Sequence, residues 1–357
     1  MCGMRLMQAW AIALPAAMGL RYWRIRAASA GLFGGTRMRR SHPGVMRIIL
    51  LPMFARPALA WVLVALLVAI PFAGHGAALA APIQFGAQDE ESTPNRRQLW
   101  LIPSPDPNLA ARAVLFRPAG PGPFRLAVIA HASTQNPLRR AQMPQPDYAA
   151  LANWLVGRGF AVLVPERPGH GATGGNYLED QGGCVTADYD KAGRATADSI
   201  LAAMDFLRRQ NFIRRDETLV VGHSAGGWGA LALAGENPPG LSGVIVFAAG
   251  RGGRADDFPN QVCAPHTLKA AAAEFGKSAR VPVTWLVAAN DSYFAPVFSK
   301  QLADAFRGAG GKVVFKALAS YGSEGHWLPE SEGGVKLAAS ELERALKLPR
   351  AAAAGKR

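Results

Sequence analysis

Acidic residues and lysine are absent from residues 1–80 of this 357-residue chain, which carry nine arginines instead (Arg5, Arg21, Arg24, Arg26, Arg37, Arg39, Arg40, Arg47 and Arg56). Those nine account for most of the net charge of +14 and leave +5 for residues 81–357. The basic excess therefore belongs to a leader, and no nucleic-acid partner is expected. No group of His, Cys and Asp has metal-ligand spacing, and no glycine-rich loop fits a nucleotide fingerprint, so no cofactor is expected. Internal repeats are lacking too. Cysteine is scarce: Cys2 in the leader, then Cys184 and Cys263.

What is present in the leader is an uncharged apolar run from Pro57 to Ala73, preceded by Arg47 and Arg56 and followed by Ala78-Leu79-Ala80. The small-x-small tripeptide suits a signal peptidase, and the whole reads as an export signal over 1–80 cut near Ala80–Ala81. The alternative is an uncleaved anchor, for which the run is short. Residues 1–45 are long for an n-region. Met38 and Met46 each begin a more ordinary signal peptide, so the true start is expected at one of them. The mature protein is then periplasmic or secreted. In an oxidising compartment Cys184 and Cys263, each in a loop, are expected to pair; two free thiols are the alternative.

Residues 81–94 read as a flexible lead-in, 95–347 as the folded domain and 348–357 as a disordered tail. Leu99–Ile102 and Ala113–Phe116 read as an antiparallel pair. Beyond them apolar strand runs alternate with amphipathic helices: Leu126–Ala130, Tyr148–Val156, Phe160–Val164, a helix marked by Ile200 and Met204, Thr218–Val221, Val244–Phe247, Leu268–Phe275, Val283–Val287, a helix marked by Leu302, Val313–Phe315, and a last helix through Leu342. This pattern predicts an α/β fold, a mostly parallel sheet covered on both faces.

Leu219-Val220-Val221 runs straight into Gly222-His223-Ser224-Ala225-Gly226, followed by an Ala/Gly/Leu-rich stretch. Strand, sharp turn and helix are the setting of a nucleophile elbow, in which only small neighbours fit. A serine hydroxyl also needs a base, a group that orients the base, and donors for an oxyanion. In an open parallel sheet such groups collect at the carboxyl ends of strands. Asp291 follows the strand Val283–Val287, and His326 lies on the loop after Val313–Phe315. Taken alone, Asp291 reads as a helix N-cap and His326 as a loop histidine. His131, His170, His223 and His266 compete as bases, and Glu324 and Glu166 as acids. The first oxyanion donor is expected to be the N–H of Ala225 and the second that of Ala132, with Ser133 as rival. Residues 250–266, with Arg251 and Arg254, read either as a pocket wall meeting an anionic substrate or as a surface connection with solvated charges. Trp228 and Tyr293 fit the core as well as the site.

The elbow, Asp291 and His326 stand in the order Ser, Asp, His, and with the turn Glu166-Arg167-Pro168-Gly169-His170-Gly171 they resemble the α/β-hydrolase superfamily. Glu236-Asn237-Pro238-Pro239-Gly240, Asn290-Asp291-Ser292-Tyr293-Phe294 and Gly325-His326-Trp327 resemble its exported dienelactone-hydrolase-like branch, over about residues 95–347. The resemblance implies an acyl-enzyme on Ser224 and a small ester or thioester substrate. The alternatives are a peptidase of the prolyl-oligopeptidase-like or serine-aminopeptidase kind and a binding protein without turnover. Two departures stand out. Dienelactone hydrolases proper use a cysteine nucleophile, and the usual His-Gly of the oxyanion loop is His131-Ala132 here.

Overall fold

A computed structural model describes residues 83–347. The expected export signal, its cut site and the candidate starts in the arginine-rich N-terminal stretch, and the 348–357 tail, lie outside the described residues. Nine strands form one sheet: β1 (Gly86–Ala87), β2 (Gln98–Pro103), β3 (Ala110–Phe116), β4 (Phe124–Ala130), β5 (Phe160–Pro165), β6 (Ile213–His223), β7 (Leu241–Phe247), β8 (Val283–Ala288) and β9 (Val313–Leu318). The helices are α1 (Pro137–Ala141), α2 (Ala149–Val156), α3 (Tyr189–Arg208), α4 (Ala225–Glu236), α5 (Pro265–Ser278), α6 (Pro296–Gly308) and α7 (Glu332–Lys347). The spatial order of the strands is β1-β2-β3-β5-β4-β6-β7-β8-β9. β1, β2, β3 and β5 pair antiparallel in turn, and every later pairing is parallel.

The apolar runs force two covered faces. Along β4, Leu126, Val128 and Ala130 enter one core cluster, while Ala127 and Ile129 enter the other. A strand with no polar face must be packed on both sides. The first cluster takes Ile200, Trp228, Phe275 and Phe306 from α3, α4, α5 and α6. The second takes Leu151 and Leu155 from α2 and Ala338 and Leu342 from α7. Because β5 lies on one side of β4 and β6 on the other, the chain reverses its winding between them. That switch point opens a crevice at the carboxyl ends of β4 and β6.

The flexible lead-in expected over 81–94 is corrected from Gly86 onward. Gly86 and Ala87 pair with Leu101 and Trp100, and the Asp89 carboxylate accepts the Leu99 N–H at 2.7 Å. Glu91 pairs with Arg96 and Arg117. The free edge of β2 offers backbone groups that this segment fills, which its polar composition did not advertise. β6 also begins earlier than its apolar core, at Ile213.

Cys184 and Cys263, in the loops before α3 and α5, are disulfide-bonded across a sequence separation of 79. In the chain-entropy model closing such a loop stabilises the fold by about 4 kcal/mol. Denaturant titrations with and without reductant should differ by about that amount, and a thiol assay of the unreduced, denatured protein should find neither of these two cysteines reactive.

Candidate active site

β6 ends at His223 and α4 begins at Ala225, so a single residue turns the chain from strand to helix. That residue, Ser224, has φ 55° and ψ −118°, a conformation that is costly for any side chain bearing a Cβ. The turn is held by close backbone approach. A Cβ on Gly226 would lie 2.1 Å from the Ala130 carbonyl oxygen and 2.5 Å from that of His131. One on Gly222 would lie 2.5 Å from the Gly227 Cα. Glycine is required at both positions for α4 to start against the end of β4.

Asp291 follows β8, and His326 sits in a 3₁₀ turn (Gly325–Glu330) after β9. The His326 Nδ1–H donates to Asp291 Oδ2 at 3.0 Å, with both residues buried. Asp291 Oδ1 accepts the N–H groups of Tyr293 and Phe294, each at 2.8 Å. The carboxylate thus both caps its own loop and holds the imidazole. With Nδ1 donating, Nε2 is the free nitrogen. No hydrogen bond joins it to Ser224 Oγ. Tyr293 stacks on the His326 ring at 4.1 Å, while Trp228 lies in the core with its Nε1–H on the Tyr189 carbonyl.

The rival acids have other duties. Glu324 accepts the N–H of His326 at 3.0 Å and of Ser292 at 3.1 Å, tying the two loops together. Glu166 folds under its own turn to accept the Thr173 N–H. Among the rival bases, His266 is exposed at the start of α5. The ring of His131 bridges the Arg167 N–H and the Ala132 carbonyl. That of His170 lies between the carbonyls of Arg167 and Pro168 and the Ser133 hydroxyl.

The assignment of Ala132 as oxyanion donor is corrected. Its N–H donates to Tyr148 Oη at 3.1 Å. The N–H groups of Ala225 and Ser133 have no acceptor among the described residues. Tyr148 Oη in turn lies 2.8 Å from His223 Nδ1, and His223 Nε2 lies 2.8 Å from the His326 carbonyl. A carbonyl only accepts, so Nε2 carries the proton, and the tyrosine hydroxyl donates to Nδ1. A continuous chain therefore runs from the loop after β4 to the loop bearing His326. Nothing in the sequence marks Tyr148 for this, because its partners are distant in the chain.

Ser224 and Ala225 line a cavity of about 1000 Å³ walled by the loop after β4, residues 250–257, Cys184, Cys263, Tyr293 and the half-exposed Trp327. Of the 250–266 stretch, residues 250–257 and Cys263 thus line the pocket. Neither expectation for Arg251 holds. It is 2% exposed, and its guanidinium contacts Glu179 at 2.5 Å and the Thr196 hydroxyl at 2.8 Å. Glu179 also pairs with the buried Arg167. Burial opposes the charge on Glu179, but the two arginines dominate and hold its carboxyl well below the usual range. Arg254 donates to Ser292 Oγ at 2.6 Å.

Residues 146–278 match the family model described as serine aminopeptidase, S33. The esterase Pf2001 of Pyrococcus furiosus is 12% identical, with TM-score 0.51, over 74% of this chain and 98% of its own. The acylaminoacyl peptidase of Pyrococcus horikoshii is 14% identical, with TM-score 0.50, over 73% of this chain and 43% of its own. No curated protein matches the chain. The fold is that of the α/β-hydrolase superfamily.

Two outcomes follow from the buried polar groups. Tyr148→Phe strands the Ala132 N–H and His223 Nδ1, and chemical denaturation should show a loss of about 1–3 kcal/mol. His131, His170 and His223 are held neutral mainly by burial, with His170 pushed down to about 4. Unfolded, they would bind protons near pH 6.5, so stability is whole above that value and falls below it, by up to about 1.4 kcal/mol per pH unit for each ring. Denaturation midpoints at pH 7 and pH 5 should differ accordingly.

Proposed function

We propose that the chain is an exported serine hydrolase of the dienelactone-hydrolase-like kind that cleaves a carboxylic ester or thioester through an acyl-enzyme on Ser224. The observation that carries the reading is the buried Asp291–His326 hydrogen bond, together with a Ser224 that is held in a strained turn and lines a cavity. Ser224 Oγ attacks the carbonyl while His326 Nε2 takes its proton. Asp291 keeps the imidazole in the required tautomer and stabilises its charged form. The N–H groups of Ala225 and Ser133, both without an acceptor, receive the oxyanion, with Ala225 aided by the N-terminus of α4. His326 then returns the proton to the leaving group, and water, deprotonated by the same ring, releases the acid. The step requires Nε2 to reach Oγ in the substrate complex, where catalytic hydrogen bonds often tighten.

An ester is favoured over a peptide because an alcohol leaves more easily than an amine. The S33 match favours a peptide as the second reading. p-Nitrophenyl esters of graded length, run beside aminoacyl and dipeptidyl anilides, decide between them. Ser224→Ala should lower kcat by on the order of 10⁴-fold or more and abolish labelling by a fluorophosphonate. An unlabelled wild-type protein would instead be a binding protein with the hydrolase fold.

A further inference from the structure

His170 determines what Ser133 can offer the cavity. The Nδ1 atom of His170 faces two carbonyl oxygens, Arg167 O at 3.0 Å and Pro168 O at 3.1 Å. A lone pair there would face two others, so Nδ1 carries the proton. Burial, the main cause of its lowered proton affinity, keeps the ring neutral at ordinary pH. Nε2 is then a bare acceptor, and it lies 2.7 Å from Ser133 Oγ. The serine hydroxyl has one hydrogen, and His170 takes it. Ser133 is half-buried and lines the cavity together with Ser224. Its Oγ therefore meets a ligand with lone pairs only, while its backbone N–H, without an acceptor, meets it as a donor.

We propose that Ser133 selects acyl groups that carry a hydrogen-bond donor, a hydroxyl or an amide N–H, on the carbon next to the scissile carbonyl. The selection rests on the reading of Ser224 as nucleophile and of the Ser133 N–H as oxyanion donor. The covalent geometry supports the α position. In serine, N and Oγ are separated by the same number of bonds as a carbonyl oxygen and a substituent on its α-carbon. A carbonyl oxygen seated on the N–H thus brings an α-hydroxyl or α-amide beside Oγ. An ether or a tertiary amide at that point would set lone pair against lone pair, since the serine hydrogen is already engaged by His170.

The test uses boronic acids, which add to a catalytic serine without turnover. Acetamidomethylboronic acid has the donor, and its N-methyl counterpart lacks it. Each competes with a fluorophosphonate for Ser224. The secondary amide should protect wild-type protein at a concentration lower by on the order of tenfold. In Ser133→Ala the two should protect alike. His170→Phe, which frees the hydroxyl to donate, should shrink the preference and serves if the first variant does not fold. Equal protection of wild type by both compounds, protection by neither, or a preference surviving in Ser133→Ala overturns the proposal. Failure of the fluorophosphonate itself to label wild type counts against the catalytic reading instead.

Discussion

The rest of the site depends on one crowded contact, the approach of the Ser224 turn to the end of β4. A serine at φ 55° costs on the order of 1–3 kcal/mol and persists only when its surroundings leave no alternative. Here Gly226 lies against the carbonyls of Ala130 and His131 so tightly that one methyl group would collide with both. With α4 started there, the Ala225 N–H has no helical partner, and the serine faces the crevice where the sheet reverses its winding. The loop after β4 is pressed against the same turn, which keeps the Ser133 N–H close at hand.

The strand ends alone do not fix the loops that rise from them. Polar side chains do so, each spanning two loops. Glu324 joins the loop after β8 to the loop after β9, and Asn290 reinforces it through the backbone of Tyr321. Tyr148 and His223 link the loop after β4 to the His326 backbone. Arg251 fastens the loop after β7 to Glu179, which Arg167 also grips. Desolvating two guanidinium groups costs several kcal/mol, so this cluster adds little net stability. Its effect is geometric: satisfied buried networks hold one arrangement and penalise departures from it.

This division explains what could be read in the chain. The strand ends that carry Ser224, Asp291 and His326 were legible because each of these residues follows an apolar strand run. The sheet was legible because β4 to β8 have no polar face. Ala132 does not serve as a free donor because the acceptor of its N–H is the hydroxyl of Tyr148, sixteen positions onward. Arg251 looked solvated because a buried charge shows itself only through its partner, and Glu179 lies 72 residues away. β1 was hidden because an edge needs only backbone groups, which every sequence supplies. Local pattern thus revealed elements and strand ends, while pairings across loops required the fold.

The same logic separates the five histidines among the described residues. His131, His170 and His223 serve as neutral connectors, each with one nitrogen donating to a carbonyl and the other accepting. An imidazole suits that duty because it holds a donor and an acceptor at a fixed angle in an apolar ring. Protonation would turn its accepting nitrogen into a donor and break the link, and burial opposes that change. Glu330 lies 3.5 Å from His223 Nδ1, but it is solvent-exposed, and the Tyr148 hydroxyl lies closer. His326 is wired differently: its Nδ1 donates to a buried carboxylate, and its Nε2 has no hydrogen-bond partner among the described residues. A ring meant to take up a proton needs an anion behind it and an open nitrogen in front. Only His326 among the five has both, so the partner on Nδ1 distinguishes a candidate base from a structural histidine.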